Sequence, residues 1–303
     1  MCGKPLARQL ISTCLLFCSA ALIFSVTALL YNNLSFSDTQ TSLRQLDSAI
    51  AGGENWVSQH TLEILTEKNA ALITMLAECS RVKANPTFDH IVKTFMQTPI
   101  WDYSQCWKKE VDPNWPFLNK RYLNKAISEE YIDNKWALYA LAPDMANITP
   151  GQMRLFDPEC WHGRQLTHQL FALTLLRERT GANETIDKLI NHICHRLHRE
   201  LLCDIAVVDI YIQKVTFILR ADHPNLIRRR WLERIVKNQM PDGGWNDRWL
   251  CFTSGRRPAF NSVPPANQHA TIQAITALYL ARYRYPEHFG LKNSTDHKQD
   301  KNS

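Results

Sequence analysis

Acid–base chemistry needs a carboxylate and an imidazole within reach of each other, with a cation to hold any anionic group of the substrate. Three stretches of this chain carry such residues. The first, Asp157-Pro-Glu-Cys-Trp-His-Gly-Arg-Gln-Leu-Thr-His168, contributes Glu159, His162, Arg164 and His168, the last two four apart and therefore on one helical face. The second contains Asp209, which interrupts the apolar run Ile205 to Ile212, where an ionised carboxylate is unfavourable without partners. The third holds Asp247, Arg248 and His269. Asp209, His168, His162, His269 and Glu159 are the candidate acids and bases, and Arg164 and Arg248 the candidate anion holders. Each has a plainer reading beside the chemical one: Asp204 and Asp209 as partners of helix ends, His269 as a hydrogen-bonded core histidine.

Cys160 with His162 and Asp157 offers a start of a metal site, but Cys-x-His supplies too few ligands. Zinc is therefore disfavoured, no metal ligand is assigned, and no other cofactor is indicated. Trp101, Tyr103, Trp107, Trp115 and Phe117 crowd one short stretch. Trp107 and Trp115 are the candidates for stacking on a sugar or lipid, although such aromatics more often cap a helical core.

These residues must be positioned by helices. From Leu10 to Leu30 no residue is charged, and at 1.5 Å per residue the segment is about 31 Å long, matching a hydrocarbon core of roughly 30 Å. It reads as a transmembrane anchor over 10–30. Lys4 and Arg8 precede it and the next basic residue is Arg44, which places residues 1–9 in the cytoplasm and the main domain outside. A cleaved signal peptide competes, with Val26-Thr27-Ala28 as cleavage region, but the apolar run exceeds the usual length. Residues 31–41 read as a stalk, 42–290 as one helical domain and 291–303 as a frayed tail. Within the domain apolar spacing predicts helices over 42–59, 61–82, 87–97, 121–141, 164–180, 184–201, 204–220, 225–239 and 266–284, with loops over 99–120, 143–163 and 240–265. Asn183 reads as an N-cap. Beyond the anchor, Cys79, Cys106, Cys160, Cys194, Cys203 and Cys251 would allow 15 disulfide pairings in an oxidising compartment.

The stretch Arg230 to Trp245, RWLERIVKNQMPDGGW, ends a helix in a Pro-Asp-Gly-Gly turn. It resembles the QW motif of squalene and oxidosqualene cyclases, and more broadly of the α/α toroid superfamily that includes protein prenyltransferases. Arg230, Ile235, Gln239, Gly243 and Trp245 fall at that motif's positions, whereas Trp231 and Arg234 depart from it. Gly53-x-x-Trp56-Val57 is a fragment of the same pattern. The resemblance covers about sixteen residues and implies an α/α toroid of inner and outer helices. It gives Gln239, Gly243 and Trp245 a structural role at a corner, and the orphan groups at a helix end require such partners in any case. In such a ring 164–180, 204–220 and 266–284 are inner helices, and their amino termini, with His168, Asp209 and His269, converge on one mouth.

The net charge of +6 is spread along the chain, so nucleic acid is not expected as a partner. The cluster Arg228, Arg229 and Arg230 reads as a solvated surface. Terpene cyclisation is disfavoured because the acidic DxDD and DDxxD clusters are missing. Protein prenylation is disfavoured because its substrates are cytosolic. Two functions stay open: an extracytoplasmic enzyme acting on a polysaccharide through an Asp/His/Arg rim, since α/α toroids also host glycan lyases and hydrolases, and a non-catalytic membrane-tethered module binding a glycan or protein ligand.

Overall fold

The structure is a computed structural model describing residues 4–35, 38–67, 69–98, 104–116, 132–141, 164–204, 206–246 and 265–291. These form α1 (Lys4–Asn33), α2 (Thr39–Gln59), α3 (Thr61–Thr66), α4 (Ala70–Val82), α5 (Pro86–Gln97), α6 (Ser104–Val111), α7 (Ile132–Leu141), α8 (Arg164–Thr180), α9 (Glu184–Cys203), α10 (Asp209–Arg220), α11 (Arg229–Lys237) and α12 (Gln268–Tyr279), which a π-helical turn continues to Arg284. The protein is all-α, with no strand among the described residues.

Asparagine caps fix several helix starts. Asn85 Oδ1 accepts from the N–H groups of Thr87 and Phe88, Asn183 Oδ1 from Thr185 and Ile186, and Asn267 Oδ1 from Ala270. α8 has the expected bounds, and α9 begins at the residue after Asn183.

Three differences from the sequence reading matter for the site. The expected helix 61–82 is divided: α3 ends at Thr66, Glu67 is extended (φ −73°, ψ 126°), Asn69 lies outside the helical region (φ −111°, ψ 78°), and α4 starts afresh at Ala70; asparagine favours such breaks because its side chain competes with the helical backbone. The expected helix 204–220 starts only at Asp209. Val207 and Val208 form a buried connector, with Val208 extended (φ −125°, ψ 173°), as branched side chains favour. Asp209 is thus the first residue of α10 rather than a carboxylate in a helix interior, and the positive end of the helix accommodates it. Finally, 104–111, expected as loop, is α6, whose Lys108 Nζ donates to the carbonyls of Met96 and Thr98 (3.1 and 2.8 Å) at the end of α5.

α12 packs between α4 and α10, α10 between α12 and α8, α8 against α7, α7 against α6, and α6 back against α4. A second set flanks these helices: α5 on α4, α2 and α11 on α12, and α9 on α8 and α10. Burial follows the same division. Every residue of α10 from Tyr211 to Arg220 is buried, and so is every residue of α12 except His269. On α9 only the stripe Ile186, Ile190, Ile193, Cys194, Leu197 and Leu201 is buried, the pattern of a helix wet on one side.

The carboxyl ends of α4, α8 and α10 meet in an ionic cluster. Arg220 Nε lies 2.5 Å from Glu78 Oε2, Arg179 Nη2 lies 2.9 Å from Glu110 Oε2, and Arg284 Nη1 lies 3.4 Å from Glu78 Oε1. Arginines there complement the negative ends of the helices and close that side of the domain.

Residues 31–33, expected to open a stalk, continue α1 and dock into the domain. Asn32 is fully buried, its Nδ2 donating to the carbonyls of Leu201 (2.8 Å) and Leu202 (3.1 Å) and its Oδ1 accepting from Arg234. Arg230 Nε donates to Tyr31 O (2.9 Å) and Trp231 Nε1 to Asn33 Oδ1 (3.2 Å). Arg230, read from sequence as solvated, is 1% exposed, because its partner is the end of a helix 199 residues away. Over Thr13–Asn33 α1 is long and apolar enough to cross a membrane.

Candidate functional site

The amino ends of α4, α10 and α12, with the first turns of α8, surround a cavity of about 940 Å3. Asn69 and Ala70 of α4, His168 of α8, Asp209 of α10 and His269 of α12 all line it. Three of the sequence candidates, Asp209, His168 and His269, are therefore brought together.

Asp209 and His269 are in direct contact, with His269 Nδ1 2.8 Å from Asp209 Oδ1. A carboxylate only accepts, so Nδ1 carries the proton of this contact, and in the neutral imidazole Nε2 presents its lone pair. Two amides face that nitrogen: Gln273 Nε2 at 3.0 Å and Gln213 Nε2 at 3.5 Å. Gln213 Nε2 also lies 3.4 Å from Asp209 Oδ2, while its Oε1 accepts from Thr167 Oγ1 at 2.8 Å. Gln213, Gln273 and Thr167 are almost wholly buried, whereas the side chains of Asp209 and His269 retain 26% and 35% exposure. The two groups able to move a proton are thus the ones open to the cavity, and a buried amide layer sets their orientation. His168 stands on the neighbouring helix with Nδ1 3.5 Å from Thr167 Oγ1.

An imidazole oriented by a carboxylate is a competent general base, and a second imidazole in the same cavity can serve as the acid. Glu63 and Glu67 add carboxylates to the lining, and Gln268 Nε2, next to His269, donates to Glu63 Oε1 (3.3 Å). Among the described residues no group of three or more His, Cys, Asp or Glu is placed to hold a metal ion.

Trp107 lines the cavity but is 4% exposed, its ring stacked on Phe171 at 5.8 Å and Phe171 in turn on Phe217 at 5.0 Å. It forms part of an apolar floor. Trp115 is not among the lining residues; its ring lies over Lys108 Nζ, 4.9 Å from the centroid. Arg164 is the first residue of α8, but its side chain lies outside the described residues, as do His162, Glu159, Arg248, Cys160 and Asp157.

Sequence reasoning passed over Gln213 and Gln273. The signal was present: each lies four residues after a cavity residue, Asp209 to Gln213 and His269 to Gln273, which places each amide on the same helical face as that residue.

The corner formed by Gln239, Gly243 and Trp245 holds α12 in place. Gln239 Nε2 donates to Ala49 O and Gly243 O, both at 2.8 Å, which ties the end of α11 to α2. Trp245 Nε1 donates to Ile235 O (2.8 Å), and the Trp245 backbone N–H donates to Thr271 Oγ1 (2.9 Å). The N–H of the cap residue Asn267 donates to Trp245 O (2.8 Å). His269 lies between Asn267 and Thr271, so this corner sets the turn from which it projects. Trp56, from the other fragment of the pattern, packs directly beneath Gly244, close enough that a Cβ there would meet its indole nitrogen at 2.8 Å.

Of the cysteines in the domain, Cys79, Cys194 and Cys203 are free thiols, the first two buried and Cys203 exposed. Burial pushes the Cys79 thiol up to about 12 and raises Cys194 as well, which makes both inert. Comparison with protein-family models, curated proteins and solved structures finds no match to this chain.

Proposed function

We propose that this protein is a membrane-anchored enzyme of α/α-toroid architecture that performs acid–base chemistry on a polysaccharide outside the cytoplasm, with His269 as base, Asp209 orienting it and His168 as acid. The observation that carries the reading is the 2.8 Å contact between Asp209 Oδ1 and His269 Nδ1 inside a cavity that also holds His168. The volume falls within the roughly 300–1,000 Å3 of ligand clefts, and an apolar aromatic floor beneath convergent polar groups suits a sugar ring.

The toroid reading draws support from the succession of packed helices that returns from α6 to α4, from the flanking second set, and from amino ends gathered at the cavity while arginines occupy the opposite ends. The substrate class rests on the chemistry hosted by similar folds. Membrane attachment rests on α1, which carries large apolar side chains such as Leu15, Phe17 and Phe24 at 62–73% exposure, a surface that lipid covers and water does not. The charge asymmetry of Lys4 and Arg8 favours a cytoplasmic amino terminus.

One observation favours the alternative of a non-catalytic binding module: Nε2 of His269 already faces the Gln273 amide at 3.0 Å, so the lone pair needed for catalysis has a partner within the protein. The two readings separate in one experiment. The full-length chain is assayed for release of reducing or unsaturated ends from a panel of neutral and uronic polysaccharides, together with Asp209→Asn and His168→Ala. Catalysis predicts that both variants lose turnover by at least 100-fold while Tm stays near that of the parent. Binding to the same polysaccharides that survives both substitutions, with no turnover by the parent, refutes the enzyme.

A further inference from the structure

A second cleft, of about 630 Å3, lies where α1 enters the domain, and Asn33 and Ser35 help to line it. Its other walls carry Arg228, Arg229, Arg230 and His288, with Glu287 as the lining carboxylate. The position of this cleft follows from the docking of α1. The apolar helix runs directly into the domain: Asn32 is buried against Leu201 and Leu202, and Tyr31 and Asn33 are hydrogen-bonded to Arg230 and Trp231. The apolar stretch Thr13–Asn33 is about 31 Å long, the thickness of a hydrocarbon core, so the domain surface encircling Asn33 stands at the level of the lipid headgroups. Exposed Leu30, Tyr31 and Leu34 ring the same exit, the composition of an interfacial belt.

Among the residues that line the cleft, basic side chains outnumber acidic ones. Arg229 Nε and Arg230 Nη1 share the carboxylate of Glu233, at 3.3 and 3.4 Å, so one buried anion serves two guanidinium groups. Arg228 is exposed, stacks over the Trp231 ring at 5.9 Å and makes no ion pair among the described residues. Against Glu233 and Glu287 the cleft therefore carries three arginines. The geometry points to a binding site for the phosphate of an anionic phospholipid, gripped by Arg228 and Arg229 beside the exit of α1. This inference rests on the reading of α1 as a membrane span.

The test uses the full-length chain reconstituted in vesicles of equal parts phosphatidylcholine and phosphatidylglycerol, extracted in mild detergent, with the retained lipids counted by mass spectrometry. Phosphatidylglycerol is expected to be enriched over phosphatidylcholine. Arg228→Ala should lower that enrichment about fivefold, Arg228→Ala with Arg229→Ala should lower it further, and Arg228→Lys should retain most of it. Equal retention of the two lipids by the parent chain overturns the proposal, as does enrichment that is unchanged in the double variant. Loss of the bound lipid to millimolar inorganic phosphate would mark a site for a free anion instead, and also overturns it. Alkaline carbonate washing of the membranes separates the two levels of failure. A chain that washes off refutes the span, and the headgroup site with it; a chain that stays without lipid preference refutes the headgroup site alone.

Discussion

Gly243 has φ +91°, and a Cβ on it would overlap the carbonyl of Gly52, lying 2.9 Å from its carbon and closer to its oxygen. Alanine at this position has two separate penalties. A left-handed conformation costs an L-residue about 1–2 kcal/mol. The overlap is between backbone groups, so no rotamer relieves it, and separating the turn from α2 pulls Gln239, still bonded to Gly243 O in its own turn, away from Ala49 O, at about 1 kcal/mol for that bond. Gly243→Ala should thus destabilise by about 2–3 kcal/mol in total. Gly181 provides the control: its φ is +82°, but nothing lies within 4 Å of a Cβ built there, so Gly181→Ala carries the conformational penalty alone. Thermal unfolding of the full-length chain in detergent, followed by near-ultraviolet circular dichroism of the buried tryptophans, should lower Tm by roughly 10 °C for Gly243→Ala and by a few degrees for Gly181→Ala. Equal shifts for the two variants would refute the claim that the close approach of α2 holds this corner.

Two further tests use titration and thiol chemistry. His223 is half-buried, and burial together with the charge of Arg177 lowers its pKa below the ordinary histidine value of about 6.5. Below that value the unfolded chain binds a proton that the folded chain refuses, so stability falls as pH drops below about 6.5. His223→Gln should flatten the decline of Tm between about pH 6.5 and 5, and an unchanged slope would remove His223 from the account. Maleimide labelling of the native chain with peptide mapping should modify exposed Cys203 and spare Cys79 and Cys194 until denaturant is added; labelling of Cys79 in the native chain would contradict its burial.

Much of the helix content was legible because local rules govern it. α8 and α9 announce themselves through apolar spacing and the Asn183 cap, and neither requires knowledge of a distant partner. The fresh start of α4 at Ala70 and the late start of α10 at Asp209 were illegible for a physical reason: Ile205-Ala206-Val207-Val208 is as apolar as a buried helix, and apolar content alone does not separate a helix from an extended segment that buries Val207 and Val208. Asp209 shows the consequence. The residue was singled out as an anomaly in a helix interior, yet it occupies the one part of a helix where a carboxylate is favoured, and its proximity to His269 comes from helix ends that gather at the cavity. Arg230 fails in the opposite direction. Three consecutive arginines look solvated when read locally, and only the arrival of Tyr31 from the amino terminus buries the third.

α11 joins these features. With nine residues it is too short to be stable by itself, so its position is dictated by what clamps it. On one side Arg230, Trp231 and Arg234 grip the last turn of α1, and Arg234 Nη1 also donates to Asp204 O (3.0 Å) in the connector that leads to Asp209. On the other side Ile235 O accepts from Trp245 Nε1, and the Trp245 backbone reaches Thr271, two residues from His269 in the first turn of α12. Both members of the Asp209–His269 pair are thereby reached from the same short helix, Asp209 through the connector and His269 through the corner. The orientation of the cavity relative to α1 is accordingly fixed by buried hydrogen bonds rather than left to a tether. A glycine-rich linker inserted after Asn33 would leave those bonds intact, whereas loss of the Asn32 amide would leave the Arg234 guanidinium and the carbonyls of Leu201 and Leu202 without that partner.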